Sequence, residues 1–250
     1  MAKRPRQAAQ AKPENNVHPL YGRSVERAWH PLDGDGDDDR DQSYLKTVKP
    51  RTSNQEALMR AIDEHALTIT IGPAGTGKTY LAVSKAVESL SAGRVARIVI
   101  TRPVVEAGES LGFLPGDINE KMDPWMRPIY DALSDRLGAK QVRQMVKDGT
   151  VEVAPLAYMR GRTISRSFLV VDEAQNMTFM QIKMLLTRLG WHSTMVVNGD
   201  PDQSDLLPGV SGLAEAVQRL QPLEGVAIVR LTAEDIVRHP LVAAMMPLLG

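Results

Sequence analysis

The sequence predicts one α/β domain, a mostly parallel sheet with helices on both faces, behind a charged N-terminal arm. Three observations carry that expectation. The apolar run ALTITI at 66–71 leads directly into the glycine-rich IGPAGTGKT, and the residues after it read as a helix. In SFLVV at 167–171 the four residues after the serine are all apolar, as in a parallel strand covered on both faces. From residue 50 onward, strand-like and helix-like segments alternate, and strands joined through helices pair in parallel.

Taken from the start, residues 1–48 combine the basic KRPR with the acidic DGDGDDDRD and little apolar material. Such a stretch cannot bury enough surface to offset the entropy of ordering it, so a disordered arm is expected at 1–48 and the folded domain at 49–250. Asp33, Asp35 and Asp37 fit the first positions of an EF-hand calcium loop. Asp38 stands where that loop requires Gly and Tyr44 where it requires Glu, so calcium is not expected. NQEALMRAIDEH reads as a helix with Ala57, Leu58, Ala61 and Ile62 on one face. After ALTITI and the glycine loop comes the helix KTYLAVSKAVESLSAG, with Gly93 as its stop. RIVIT at 97–101 is the next strand.

Residues 102–166 break the alternation, because Pro103, Pro115, Pro124 and Pro128 interrupt the first half. An insertion after a strand's carboxyl end lies near the ligand crevice of an open α/β sheet, so a functional part is expected there. SFLVVDE follows as a strand. TFMQIKMLLTRLG then reads as a helix, with Thr178 and Gln181 in a capping box, a stripe of Ile182, Leu185, Leu186 and Leu189, and Gly190 as the stop. TMVVNGD and GVAIVRL supply two further strands.

Composition narrows the chemistry. Thirty basic residues balance thirty acidic ones, so any nucleic-acid site has to be a local patch. With no cysteine, disulfides, thiol catalysis and thiolate zinc sites fall away. No apolar run approaches the roughly 18 residues that span a bilayer, and the N-terminus lacks the apolar core of a signal peptide. The expectation is a cytoplasmic protein with no membrane partner.

IGPAGTGKT matches G-x-x-x-x-G-K-[ST] in full, between a strand and a helix, and so reads as a phosphate-binding loop. The predicted nucleotide-binding residues are Gly72, Pro73, Ala74, Gly75, Thr76, Gly77, Lys78, Thr79 and Tyr80. The glycines let backbone N–H groups wrap phosphates, Lys78 reaches the β- and γ-phosphates, and the Thr79 hydroxyl can ligate Mg²⁺. Asp172, at the end of FLVV, is the second expected Mg²⁺ ligand, acting through water. Glu173 beside it is placed to deprotonate a water, which favours hydrolysis of ATP over transfer to an acceptor. Gln203, after NGDPD, is a candidate γ-phosphate sensor, although GDPD is also good turn chemistry. Gln55 is a candidate adenine contact or an ordinary helix glutamine. Arg102, Arg160, Arg162, Arg166 and Arg238 are open to phosphate, nucleic acid or a neighbour's nucleotide, or to plain surface roles.

In order, GPAGTGKTYLA, TRPVVEAGESLGFLPGD, EKMDPWMRPIYDAL, PLAYMRGRT, FLVVDEAQN, NGDPDQSDL and DIVRHPLV resemble the PhoH-like ATPase family over about residues 50–245. The resemblance implies a RecA-like P-loop fold similar to the first motor domain of superfamily 1 helicases. It also implies ATP hydrolysis and links to phosphate starvation and RNA metabolism. The implied partners are further copies of the chain in a ring such as a hexamer, and single-stranded RNA or an RNA-processing protein. By the same resemblance, Lys78 and Thr79 match the Walker A residues, Asp172 and Glu173 the Walker B pair, Gln203 the glutamine of G-D-x-x-Q and Gln55 the adenine-reading glutamine. Arg238 matches an arginine finger acting on a neighbour's ATP, and Thr101 and Arg102 a nucleic-acid backbone contact. A small-molecule phosphotransferase and a slowly hydrolysing, nucleotide-gated scaffold stay open as alternatives. A GTPase is disfavoured, because N-K-x-D is nowhere in the chain.

Overall fold

A computed structural model describes residues 48–103, 118–237, 241 and 245, and the side chains of 118–125 are outside that description. The expected arm at 1–48 lies almost wholly outside the described residues. Among the described residues six strands form one sheet in the order β3-β2-β4-β5-β1-β6, and every pairing is parallel. The strands are β1 (Leu67–Ile71), β2 (Arg97–Arg102), β3 (Val151–Pro155), β4 (Ser167–Val171), β5 (Thr194–Gly199) and β6 (Val226–Arg230). β1, which feeds the glycine loop, lies between β5 and β6, and β4 lies one strand further away.

Helices cover both faces, as the sequence predicts. One core gathers Ile98, Ile100, Phe168, Val170 and Val196 under α1 (Ser53–Glu64), α2 (Lys78–Ser91), α3 (Ile118–Leu137) and α4 (Ala139–Lys147). The other gathers Ile69, Val99, Leu169, Val171 and Val197 under α5 (Phe179–Leu186) and α6 (Leu213–Leu220). Alternate residues of one strand thus enter opposite cores, which explains why residues 168–171 of β4 are apolar on both faces. No helix among the described residues is long and apolar enough to cross a membrane.

Two elements differ from the sequence reading. Pro124 and Pro128 do not end a helix, since 118–137 is one continuous α3. An interior proline costs about 3 kcal/mol. Met126, Ile129, Tyr130, Leu133 and Leu137 are all buried in the core beneath α2, and each such side chain returns about 1.5–3 kcal/mol, so packing outweighs the two prolines. The second difference is β3, formed by VEVAP at the sheet edge and preceded by α4. Its Glu152 is half-buried and accepts both guanidinium nitrogens of Arg162, which interrupts the apolar pattern that marks the other strands.

The local signals elsewhere hold. Thr178 and Gln181 form the expected capping box on α5. That helix stops at Leu186, short of Gly190, because Arg188 O accepts from Ile164 N and Gly190 N donates to Ile164 O. Gly93 takes φ 69 just past α2, where its N–H meets Leu90 O at 3.0 Å.

Candidate active site

The carboxyl ends of β1, β5, β4 and β2 face α3 across a cavity of about 520 Å³. Its lining includes Lys78, Thr79, Arg102, Asp172, Glu173 and Asn198.

The glycine loop is rigid for reasons visible in its contacts. Thr76 is fully buried, and its hydroxyl donates to Pro73 O at 2.8 Å. Gly77 caps the N-terminus of α2 at φ 86, a conformation that costs a side-chain-bearing residue. At Gly72, φ is 153 and an added Cβ would stand 2.4 Å from Leu231 O. Gly72→Ala is therefore expected to lower the thermal midpoint by several degrees and to weaken nucleotide binding together, by forcing the loop off β6. A melting curve superimposable on the parent's would show that this close approach carries no constraint.

The loop is also held from below. Gln55 is 4% exposed; its Nε2 donates to Thr76 O at 3.0 Å and its Oε1 accepts from Arg51 N at 2.8 Å. The structure thus places this glutamine against the loop backbone. Asp235, after β6, accepts from Thr52 Oγ1, Asn54 Nδ2 and Thr232 N, which ties the start of α1 to the end of the sheet. Val237 N donates to Gly75 O at 3.0 Å. Arg238 follows at once in sequence but lies outside the described residues.

Within the cavity, the Lys78 ammonium donates to Gly72 O at 2.6 Å and to Pro73 O at 2.8 Å. Burial pulls its pKa below the ordinary lysine value, while the charges of Asp200, Glu173 and Asp172 oppose that shift. Asp172 is 4% exposed, and its Oδ1 accepts the Thr79 hydroxyl at 2.7 Å. Burial raises its pKa, and the Thr79 hydrogen bond works the other way. No group of three or more His, Cys, Asp or Glu able to hold a metal occurs among the described residues. Mg²⁺ needs less from a protein: one or two oxygens, with phosphate and water completing its shell. The paired oxygens of Thr79 and Asp172 beside the loop fit that demand.

Glu173 occupies left-handed backbone, φ 55 and ψ 40, which is uncommon outside glycine and costs about 1–3 kcal/mol. Its carboxylate accepts from Arg102 Nη2 at 3.0 Å and from Gln175 Nε2 at 2.5 Å. Gln175 is almost wholly buried and also accepts Asp200 N at 3.0 Å. One carboxamide therefore joins the end of β4 to the end of β5. Gln203 is exposed at the rim, its N–H on Asp200 O at 3.0 Å, and it lines both this cavity and a neighbouring one of about 440 Å³. Tyr80 lines the first cavity and donates to Asp135 Oδ2 of α3 at 2.7 Å. Burial raises its phenol pKa, and the Asp135 contact adds to that.

Ala74, Gly75, Gly77, Lys78, Thr79, Tyr80, Asp172, Glu173 and Gln203 thus share one cavity, while Gly72, Pro73, Thr76 and Gln55 support the loop from outside its lining. Thr101 is fully buried in β2, so of the pair Thr101 and Arg102 only the arginine reaches the site. Gln175 escapes the sequence reading, and Asn198, at the end of TMVV, is passed over there in favour of Gln203. A glutamine two residues after Glu173 and a polar residue ending the apolar run MVV were the available signals.

A model of the family described as PhoH-like protein matches residues 47–249. The chain is 53% identical over 199 residues to a PhoH-like protein of Bacillus subtilis, covering 79% of this chain and 62% of that protein. It is 48% identical over 227 residues to a PhoH-like protein of Synechocystis, covering 86% and 69%. Against Protein PhoH of Escherichia coli K12 the identity is 47% over 205 residues, covering 81% and 58%. The chain spans 62% of the Bacillus protein and 58% of the Escherichia protein. Among solved structures, the large terminase of a thermophilic bacteriophage superposes with a TM-score of 0.50 at 12% identity, over 78% of this chain and 49% of that one. That likeness concerns the fold, a RecA-like P-loop arrangement. Family match, identity and loop geometry agree: the chain belongs to the PhoH-like family.

Proposed function

We propose that the protein is a Mg²⁺-dependent ATPase whose hydrolysis is coupled to RNA, either by direct binding or helicase-like action or through an RNA-processing partner. The observation that carries the ATPase reading is the meeting of Lys78, the Thr79–Asp172 pair and Glu173 in one cavity at the strand ends. The loop N–H groups and the start of α2 hold the phosphates, and Lys78 exchanges its two carbonyl partners for β- and γ-phosphate oxygens. Thr79 and Asp172 would hold Mg²⁺, which when bound neutralises phosphate charge. Glu173 takes the proton of the attacking water as the new bond to the γ-phosphorus forms and the bond to the β-phosphate oxygen breaks. Arg102 and Gln175 set the direction of that carboxylate.

The coupling to RNA is supported by the family resemblance and by the Arg102–Glu173 ion pair, which joins a predicted backbone contact to the base. We place the completing cation on a neighbouring copy in a ring, with Arg238 as the finger, as the family resemblance implies. Steady-state ATP turnover with and without single-stranded RNA, over a range of protein concentrations, tests the whole reading. A rise with RNA and a steep rise with concentration are expected. Turnover indifferent to both would remove the RNA coupling and the shared site.

One observation favours the phosphotransferase alternative: Asp131 and Asp135 of α3 line the wall facing the loop. Either could accept a proton from a substrate hydroxyl. Phosphate released from ATP with no added acceptor decides for hydrolysis.

A further inference from the structure

Away from the nucleotide cavity, one part of the chain gathers a single sign of charge. Residues 153–171 and 174–199 contain no Asp or Glu, in a chain with thirty, and they carry Arg160, Arg162, Arg166, Lys183 and Arg188. The fold sets these two stretches side by side. Ile164 pairs in parallel with Leu189, Arg166 N donates to Trp191 O at 2.9 Å, and Arg188 Nη1 donates to Arg162 O at 2.9 Å. In a chain of balanced charge a nucleic-acid site has to be a local patch, and this surface is such a patch.

The fold leaves most of that charge uncompensated. Arg162 is paired with Glu152. Arg160 and Arg166 are exposed, Arg188 is half-buried with its guanidinium on Met184 O, Thr187 Oγ1 and Arg162 O, and none of the three is ion-paired with a described residue. Two rings stand on the same stretches, Trp191 at 82% exposure and Tyr158 at 50%. Arg166, bonded to Trp191, and His192, next to it in sequence, both hold left-handed backbone, at φ 51 and φ 58. Such a conformation persists where the surroundings impose it, so the turn that carries the indole is held in place. Arg166 immediately precedes β4 and Trp191 stands three residues ahead of β5. The surface therefore reaches the amino ends of these strands, about 17 Å along a five-residue strand from the end that carries the cavity.

Guanidinium groups beside exposed rings suit a polyanion whose own rings are free to stack. A single-stranded nucleic acid meets both demands, since its phosphates recur along the strand and every base offers a face. A duplex keeps its bases stacked inside, and an acidic peptide would answer the charges and leave the indole in water. Resting on the reading of RNA as the partner, we propose that this surface is a further, sequence-tolerant hold for single-stranded RNA, separate from the predicted contact at Arg102. Arg160, Arg166 and Arg188 take backbone phosphates, and Trp191 and Tyr158 stack on bases.

The test reads fluorescence anisotropy of a labelled oligo(U) over a salt series with the parent chain, Trp191→Ala, Trp191→Phe and the double variant Arg160→Gln/Arg166→Gln. A melting curve, sedimentation and ATP turnover without RNA accompany each. Trp191→Ala is expected to weaken oligo(U) about tenfold, the loss of one base stack, and Trp191→Phe to recover most of that. The double variant weakens binding and lowers the slope of log affinity against log salt by about 1.4, about 0.7 for each phosphate contact removed. Thermal midpoint and RNA-free turnover stay at the parent's values, because the surface lies at the other end of the sheet from the cavity. Parent-level affinity and slope in all three variants overturn this site and leave RNA binding elsewhere on the chain standing. A parent that binds no oligo(U) overturns this site together with direct RNA binding by the chain. Loss in the double variant with none in Trp191→Ala overturns the stacking, and with it the choice of a single strand. Weaker binding that comes with a lowered midpoint in every variant makes these residues structural and overturns the proposal. Unchanged oligo(U) binding with a smaller sedimenting species in Trp191→Ala overturns it in favour of a contact between copies.

Discussion

Glu173→Gln is expected to bind ATP as the parent does and to hydrolyse it about 10²–10⁴ times more slowly, the usual contribution of a positioned general base. The geometry makes this a test of proton acceptance. Glutamine matches glutamate in size, so the left-handed backbone at φ 55 and the neighbouring Gln175 amide can remain in place. What is lost is the carboxylate charge that pairs with Arg102 and the ability to take a proton from water. Binding is read by titration with a fluorescent ATP analogue and hydrolysis by phosphate release. A Glu173→Gln chain that turns over at the parent rate would remove Glu173 from the chemistry and turn attention to Asp131 or Asp135 across the cavity.

The sheet and the phosphate loop were legible because their signals are local. ALTITI, the glycine loop and its helix are contiguous, and the apolar FLVV has few homes other than a doubly covered strand. Strand β3 and helix α3 were not legible, because both depend on partners distant in sequence. Glu152 sits in a strand only with Arg162 to pair it, and Pro124 and Pro128 sit in a helix only because its other face is buried beneath α2. The site divides along the same line. Lys78, Thr79, Asp172 and Glu173 announce themselves by residue type and spacing. Gln175 matters because its two amide atoms reach Glu173 and Asp200, and Asn198 because its buried amide has no partner among the described residues. Neither relation is written in the order of residues. Gln55 lies between the two cases: spacing selects it, and the structure shows its amide engaged with the loop backbone.

Lys78→Ala is expected to weaken ATP binding by more than about 100-fold, since two charge-assisted hydrogen bonds at about 1.5–3 kcal/mol each are lost. The larger loss is electrostatic. Lys78 faces Asp172, Glu173 and Asp200 in the cavity, and those three charges hold up a pKa that burial alone would push down further. Without the ammonium, an incoming triphosphate meets Asp172, Glu173 and Asp200 offset, among the described lining residues, by Arg102 alone, which is already paired with Glu173. Lys78→Arg separates charge from shape: it keeps the cation, but a planar fork cannot take the place of a compact ammonium between the Gly72 and Pro73 carbonyls. Partial binding by the arginine chain, with none by the alanine chain and thermal midpoints close to the parent's, is the expected pattern. Parent-level ATP affinity in Lys78→Ala would show that the loop backbone holds the phosphates by itself, and the ATPase reading would lose its central cation.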